Sequence, residues 1–181
     1  MTSITSHETE RDRLSNPEQA TIDALIAKLS DPDGEVRKRA RFALVRFGSA
    51  AVDPLIRACN TPDHRVCWEM CKTLSLIGDP AAVPVFIKAL EDDHFEIRWM
   101  AAEGLIAIGR KQPESLKALL HALVQHPNSF GLREGAHHVF HDLVVYHGRT
   151  EFKPLVSTLA SFDWTAKTPA AVNEVLDNLA G

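Results

Sequence analysis

Apolar and polar positions recur in three consecutive segments of the chain, at residues 25–48, 55–78 and 86–109, which align without gaps over most of their length. Each segment closes on a glycine, and the three glycines are 30 and then 31 residues apart. A fourth, looser copy at 119–148 has a period of 39 residues, which predicts an insertion and a longer second helix. A period of this length indicates stacked helical repeats that bury their apolar faces against one another.

Each copy is predicted to form a short first helix, a polar turn and an amphipathic second helix. Proline stops the first helix in the turns at 30–34 and 60–63. The apolar side of the first copy's second helix consists of Val36, Ala40, Ala43, Leu44 and Phe47. Three aspartates are suited to cap helix N-termini: Asp33, Asp63 and Asp79. Three glycines are suited to the left-handed position that ends a helix: Gly48, Gly78 and Gly109.

The C-terminal part continues the helical pattern in a less regular form. A helix is predicted at 151–160, a break at 163–168, and a last helix that starts at Pro169, runs to Leu179 and caps the final repeat. No segment shows the two-residue alternation of a strand. The sequence therefore predicts an all-α protein, an α-solenoid of about five helical hairpins with a C-terminal capping helix. We expect one domain at 17–181, preceded by a loose, polar tail at 1–16.

Three sequence motifs resemble HEAT-like repeats, in particular the subtype first named for phycobilisome bilin lyases. They are DPDGEVRKRA at 31–40, EIRWMA at 96–101 and GDPAAVP at 78–84. The resemblance covers roughly residues 20–158. It implies that the second helices line a concave groove in which partners dock, and that the arginine of the E-V-R step is structural, which applies to Arg37, Arg98 and Arg133.

On a helical wheel, the positions opposite the buried side of the second helices define the predicted groove. Its candidate binding residues are Lys38, Arg41, Phe42, Trp68, Lys72, Trp99, Glu103, Glu134, His137, His138 and His141, and the same wheel places Cys71 and Ala102 outward. Trp68 and Trp99 occupy equivalent positions of adjacent repeats. They could form a two-ring platform for a flat ligand or a partner's aromatic side chain, or each ring could pack between repeats.

Two clusters contain side chains that can bind metals. His137 and His141 are four residues apart on one predicted helix, which makes them weak candidates for a divalent metal site. A pH-sensitive interface or a solvated groove wall explains the same pattern. His64, Cys67 and Cys71 share one helix face near Cys59. They are compatible with a zinc or redox site, or with packing of cysteine as a small apolar residue.

Composition limits the possible functions. The chain has 20 Lys and Arg against 24 Asp and Glu, a net charge of −4 that gives no general attraction to nucleic acid or anionic lipid. The longest apolar run, at about 81–87, is too short to span a membrane, and the first residues lack the apolar stretch of a signal peptide. Three cysteines fit a reducing compartment, so we expect a cytoplasmic protein.

The sequence contains no nucleophile elbow, Walker loop or H-E-x-x-H motif, so we expect no enzyme activity and no cofactor. The preferred hypothesis is a non-catalytic scaffold module that docks a protein partner through its groove. The alternative is a chromophore-handling subunit similar to bilin lyases, in which the tryptophans and histidines hold a tetrapyrrole. A third hypothesis is nucleic-acid binding through the basic second helix of the first repeat, which carries Arg37, Lys38, Arg39, Arg41 and Arg46.

Overall fold

A computed structural model describes residues 17–59 and 63–180, and within them the chain forms consecutive helical pairs without a strand. The first helices of the pairs are α1 (Pro17–Ala27), α3 (Val52–Ala58), α5 (Val83–Ala89), α7 (Lys117–Gln125) and α9 (Lys153–Leu159). The second helices are α2 (Gly34–Phe47), α4 (His64–Ile77), α6 (Phe95–Gly109), α8 (Phe130–His147) and α10 (Trp164–Asn178). The predicted all-α solenoid of five hairpins is confirmed. The predicted loose tail at 1–16 and most of the turn at 60–63 lie outside the described residues.

Side-chain caps begin the helices as the sequence predicts. The carboxylate of Asp33 accepts a hydrogen bond from the backbone N–H of Glu35 at 2.9 Å. Asp63 and Asp79 accept equivalent bonds at the starts of α4 and of the 3-10 turn Pro80–Ala82. Each cap satisfies a backbone donor that would otherwise lack a partner in the helix. The longer second helix predicted for the fourth repeat is present as α8, which has 18 residues.

The closing glycines do not all have the same conformation. Gly78 is left-handed, with φ 71° and ψ 29°, and Gly48 has a positive φ of 57°. The prediction for Gly109 is wrong, because it is the last residue of α6 and lies buried in the helix. A Cβ at Gly109 would lie 2.5 Å from Cδ1 of Leu116, so this glycine allows close packing rather than a left-handed turn. Gly148 ends α8 in the left-handed conformation instead.

Consecutive second helices form the core by packing side by side. α2 packs against α4, α4 against α6, and α6 against α8. Small buried residues let these helices approach closely, as Ala40 does in α2 and Ala101 and Ala102 do in α6. The first helices cover the other side of the same continuous core, where the rings of Phe86, Phe140 and Phe152 are fully buried. None of the described helices is long and apolar enough to cross a membrane.

The last pair departs from the sequence prediction and from the regular stacking. α10 begins at Trp164, so the predicted break at 163–168 and the predicted start at Pro169 are wrong. Pro169 is tolerated inside the helix on an exposed position, one residue after Thr168, whose hydroxyl donates a hydrogen bond to the Trp164 carbonyl at 2.7 Å. α9 packs against α8, whereas α10 packs against α9 and α7. The capping helix therefore covers the side of the first helices.

An ion-pair cluster joins the first two repeats. Glu69 of α4 is buried and accepts a hydrogen bond from Nε of Arg37 at 3.0 Å and another from the guanidinium of Arg41. Arg37 also donates to the carbonyl oxygens of Asp31 and Pro32, at 2.8 and 3.0 Å, and so fixes the turn before α2. The prediction that Arg41 faces outward is therefore wrong, because its side chain points toward α4 and is buried there.

Removal of the Glu69 carboxylate should destabilise the fold far more than removal of an exposed one. Glu69→Ala leaves two cations without their buried counter-charge, and we expect the free energy of unfolding to fall by about 3 kcal/mol. Glu35→Ala removes the exposed carboxylate that lies 3.5 Å from Lys38, and should cost less than about 1 kcal/mol. Urea denaturation followed by circular dichroism measures both, and equal losses would contradict a stabilising role for the cluster.

A methyl group added at Gly104 should disrupt the packing of the third repeat. A Cβ there would lie 2.6 Å from Cε1 of Phe86, so Gly104→Ala should destabilise by about 2 kcal/mol in spite of alanine's better helix propensity. Gly34→Ala is the matched control, because its new Cβ would meet only the end of the Arg37 side chain, at 3.6 Å. A thermal melt in which both variants resemble the wild type would show that the α5–α6 contact is loose.

Candidate functional site

The second-helix face is the surface formed by the outward residues of α2, α4, α6 and α8, and it contains most of the predicted groove residues. Exposed on it are Lys38, Phe42, Trp99, Glu134 and His141. Partly buried are Trp68, Lys72, Glu103, His137 and His138. Cys71 and Ala102, predicted to point outward, are buried together with Arg41. All three occupy the same position of the repeat, and for Arg41 the covering element is α4.

The two groove tryptophans have different surroundings. The ammonium of Lys72 lies 4.4 Å from the ring centroid of Trp68, a cation–π contact within one helix. The ring of Trp99 packs instead against His138 of α8, with centroids 4.7 Å apart, and against Phe95, with centroids 6.2 Å apart. No ring contact joins Trp68 to Trp99, both of which lie in the described part of the chain. The two tryptophan rings therefore do not stack on each other.

A cleft between the N-terminal halves of α6 and α8 is the most distinctive feature of this face. It has a volume of about 650 Å³. Three large rings line it while remaining open to solvent, since Phe95, Trp99 and Phe130 are 61%, 45% and 70% exposed. We call it the aromatic cleft. Phe95 and Phe130 are absent from the predicted groove residues, although each lies four residues before a predicted one and so shares its helix face.

The edge of the aromatic cleft is acidic. Its lining includes the four carboxylates of Glu91, Asp92, Asp93 and Glu134 and one guanidinium, that of Arg98. Arg98 is held in place by its own turn, because it donates hydrogen bonds to the carbonyl oxygens of Asp92 and Asp93 at 2.8 and 3.0 Å. These two hydrogen bonds agree with the structural role that the resemblance to HEAT-like repeats implies for Arg98. The cleft therefore combines exposed aromatic surface with net negative charge.

Close packing of α8 against the third repeat sets the position of the cleft wall. A Cβ at Gly131 would lie 2.8 Å from the carbonyl oxygen of Leu90, and one at Gly135 would lie 2.5 Å from Leu90 Cδ2. These two glycines bring the start of α8 against the end of the third repeat's first helix. Arg133 extends to the next hairpin, where its Nε donates to the Leu159 carbonyl at 2.9 Å, which agrees with its implied structural role.

Two of the histidines on α8, His137 and His141, lie side by side. The rings of His137 and His141 are 5.9 Å apart, and within residues 17–59 and 63–180 no group of three or more His, Cys, Asp or Glu is placed to hold a metal ion. Partial burial, aided by the neighbouring His141, lowers the pKa of His137 below its ordinary value. Nε2 of His138 is buried and lies 3.7 Å from Oε1 of Glu103, beyond hydrogen-bond distance.

The cysteines line a second cleft, of about 710 Å³, between the second and third repeats. Cys67 occupies the repeat position that holds an arginine in α2, α6 and α8. Hydrogen bonds with Cys59 and Cys67, together with burial, raise the pKa of the Cys71 thiol, and its hydrogen bond to Cys67 lowers the pKa of that thiol. His64 does not line this cleft, because its ring stacks on His94 at a centroid distance of 4.4 Å.

The basic helix of the first repeat offers less free charge than its sequence suggests. Arg37 and Arg41 point toward Glu69, and Lys38 lies 3.5 Å from Glu35. Two carboxylates, Glu69 and Glu35, thus offset part of the positive charge of the five basic side chains on which the nucleic-acid hypothesis depends.

Comparisons with known proteins agree with this architecture. The family model for HEAT repeats matches residues 22–106 and 68–139. A curated relative, phycocyanobilin lyase subunit alpha of Picosynechococcus sp., is 36% identical over 75 residues, which are 37% of this chain and 28% of the relative. This chain therefore matches only about a quarter of that protein's length.

A solved structure of two lyase chains has a similar fold. The complex of CpcE and CpcF of phycocyanin lyase from Nostoc sp. aligns with 84% of this chain and 98% of that one, at 22% identity and a TM-score of 0.55. An engineered protein aligns at 20% identity and a TM-score of 0.46, over 90% of this chain and 81% of that one. The periodic sequence, the stacked hairpins and the family match lead to one conclusion: this chain belongs to the HEAT-repeat family, and part of it is similar to a phycocyanobilin lyase subunit.

Proposed function

We propose that this chain is a non-catalytic binding module that docks a protein partner through its second-helix face, with the aromatic cleft as the main contact. The observation that supports this most strongly is the convergence of three exposed rings, Phe95, Trp99 and Phe130, on one cleft with a polar edge. Exposed aromatic residues surrounded by polar ones are typical of the centre of a protein interface. The free thiols of its three cysteines fit a reducing compartment, which we take to be the cytoplasm.

The relatives support a role in an assembly. One is a subunit by name, and the other was solved as a complex of two chains. A HEAT-like chain of this size can act by holding another protein, because its stacked second helices present a continuous surface. The sequence also lacks the motifs that would identify a nucleophile, a phosphate loop or a zinc protease site.

A second candidate function is handling of a tetrapyrrole, and the similarity to a phycocyanobilin lyase subunit favours it. The rings of the aromatic cleft could stack on such a ligand. The four carboxylates around the cleft oppose it, because they would repel the propionate groups of a tetrapyrrole. Protein docking therefore fits the charge of the site better.

The proposal is tested by comparing what two double variants of the immobilised chain capture from a lysate of the source cells. Trp99→Ala/Phe130→Ala removes two exposed rings of the cleft, and should recover at least about tenfold less of a specific partner. Tyr146→Ala/Phe162→Ala is the control, because it removes two rings that are more exposed than Trp99 and Phe130 and do not line the cleft. Quantitative mass spectrometry measures the recovery, and circular dichroism checks that both variants keep their helix content.

Equal recovery of every captured protein by the two variants would contradict docking through the cleft. Titration with a free bilin, followed by quenching of tryptophan fluorescence, tests the second candidate. We expect no saturable quenching. Saturable quenching that Trp99→Ala/Phe130→Ala abolishes would instead support tetrapyrrole handling.

A further inference from the structure

The position four residues after the groove tryptophan carries opposite charges in the second and third repeats. In α4 the groove tryptophan, Trp68, is followed four residues later by Lys72, whose ammonium covers the ring. In α6 the equivalent tryptophan, Trp99, is followed four residues later by Glu103. The second repeat thus supplies a cation to its own tryptophan, whereas the third repeat has a carboxylate at the position of that cation. His138 packs on the Trp99 ring and lies 3.7 Å from Glu103, yet the ring stays 45% exposed beside the carboxylates that line the cleft. A ring in that setting is a favourable site for a cation from another molecule.

We infer that the partner segment held in the aromatic cleft is a basic peptide in which an arginine or lysine stands next to a large apolar side chain. This inference rests on the proposed function and specifies the chemistry of the partner. The apolar side chain would pack on Phe95 and Phe130, and the cation would lie against Trp99 and the carboxylates at the edge. The rings would replace water around the apolar side chain, and the carboxylates would replace water around the cation.

The charges around the cleft favour this occupant over an acidic or neutral one. Four carboxylates line the cleft against a single guanidinium. Arg98 uses that guanidinium to bind two backbone carbonyls, and Arg133 lies 3.1 Å from the Glu134 carboxylate beside the cleft. Even with both cations counted, negative charges outnumber positive ones. A basic segment is therefore attracted and an acidic one repelled, and salt should weaken the attraction.

Phe95 shows that a guanidinium fits against the rings of this cleft. The Arg98 guanidinium carbon lies 5.8 Å from the Phe95 ring centroid. Phe95 nevertheless remains 61% exposed, and the Trp99 ring beside it is 45% exposed. Both rings therefore have area left for a second cation or an apolar side chain. A planar guanidinium can stack on such a ring and donate to a carboxylate at the same time, which makes arginine the better of the two cations.

Three labelled peptides of about ten residues test the inference on the full chain by fluorescence anisotropy: alternating arginine and leucine, alternating glutamate and leucine, and alternating arginine and serine. We expect the arginine–leucine peptide to bind at least about tenfold more tightly than either of the others. Raising the salt from about 50 to about 300 mM should weaken its binding roughly fivefold.

Two double variants of equal charge change serve as the matched pair. Glu91→Gln/Asp93→Asn removes two carboxylates of the cleft and should weaken binding of the arginine–leucine peptide roughly fivefold. Glu174→Gln/Asp177→Asn removes two exposed carboxylates of α10 and should change binding less than about twofold. Equal binding by the two variants, or equal binding of the glutamate–leucine peptide, would overturn the inference.

The outcome also separates this inference from the proposed function. If the basic peptide fails to bind while Trp99→Ala/Phe130→Ala still loses the captured partner, the inference is overturned and docking through the cleft stands. If the basic peptide fails to bind and Trp99→Ala/Phe130→Ala captures the same proteins as the control variant, both the inference and the proposed function are overturned.

Discussion

Close packing between consecutive second helices is the constraint on which the rest of this structure depends. A single hairpin cannot bury its apolar face, so each repeat is stable only when it is stacked on the next one. Ala101 and Ala102 bring α6 close to its neighbours, and Gly131 and Gly135 bring α8 against Leu90. The aromatic cleft lies directly above these contacts. Its width is therefore set by the core, and its rings are held on rigid helices rather than on loops.

One repeat position shows how a solenoid varies its surface without changing its fold. Arg37 and Arg98 both fix the turn before their own helix, and Arg37 also binds Glu69 in the next repeat. Arg133 extends forward to the last hairpin. Cys67 cannot make such contacts, and a cleft lined by cysteines lies at its position instead. The backbone fold is the same in each repeat, whereas a few side-chain differences determine which contacts form between neighbouring helices.

The sequence predicted the helical pairs and their caps because both are local properties, recorded in apolar spacing and in residues such as Asp33 and Asp63. Prediction from the sequence is wrong at positions where a neighbouring repeat determines whether a side chain is buried. A helical wheel treats one helix alone, so it placed Arg41 outward although α4 covers that side. A wheel of one helix also cannot predict the aromatic cleft, because Phe95 and Phe130 come together only when α6 packs against α8. Both residues also precede the periodic apolar residues of their helices. The start of α10 does not follow from the sequence, because proline usually marks a helix boundary, whereas Pro169 lies inside the helix.

The proposed docking surface of this chain is the second-helix face, at the aromatic cleft. The most direct measurement is the change in backbone amide NMR shifts of the isotope-labelled chain when its captured partner, or the arginine–leucine peptide, is added. We expect the largest shift changes in residues 91–103 and 129–138. Largest changes on the first helices α1, α3 and α5, with the cleft unaffected, would contradict it.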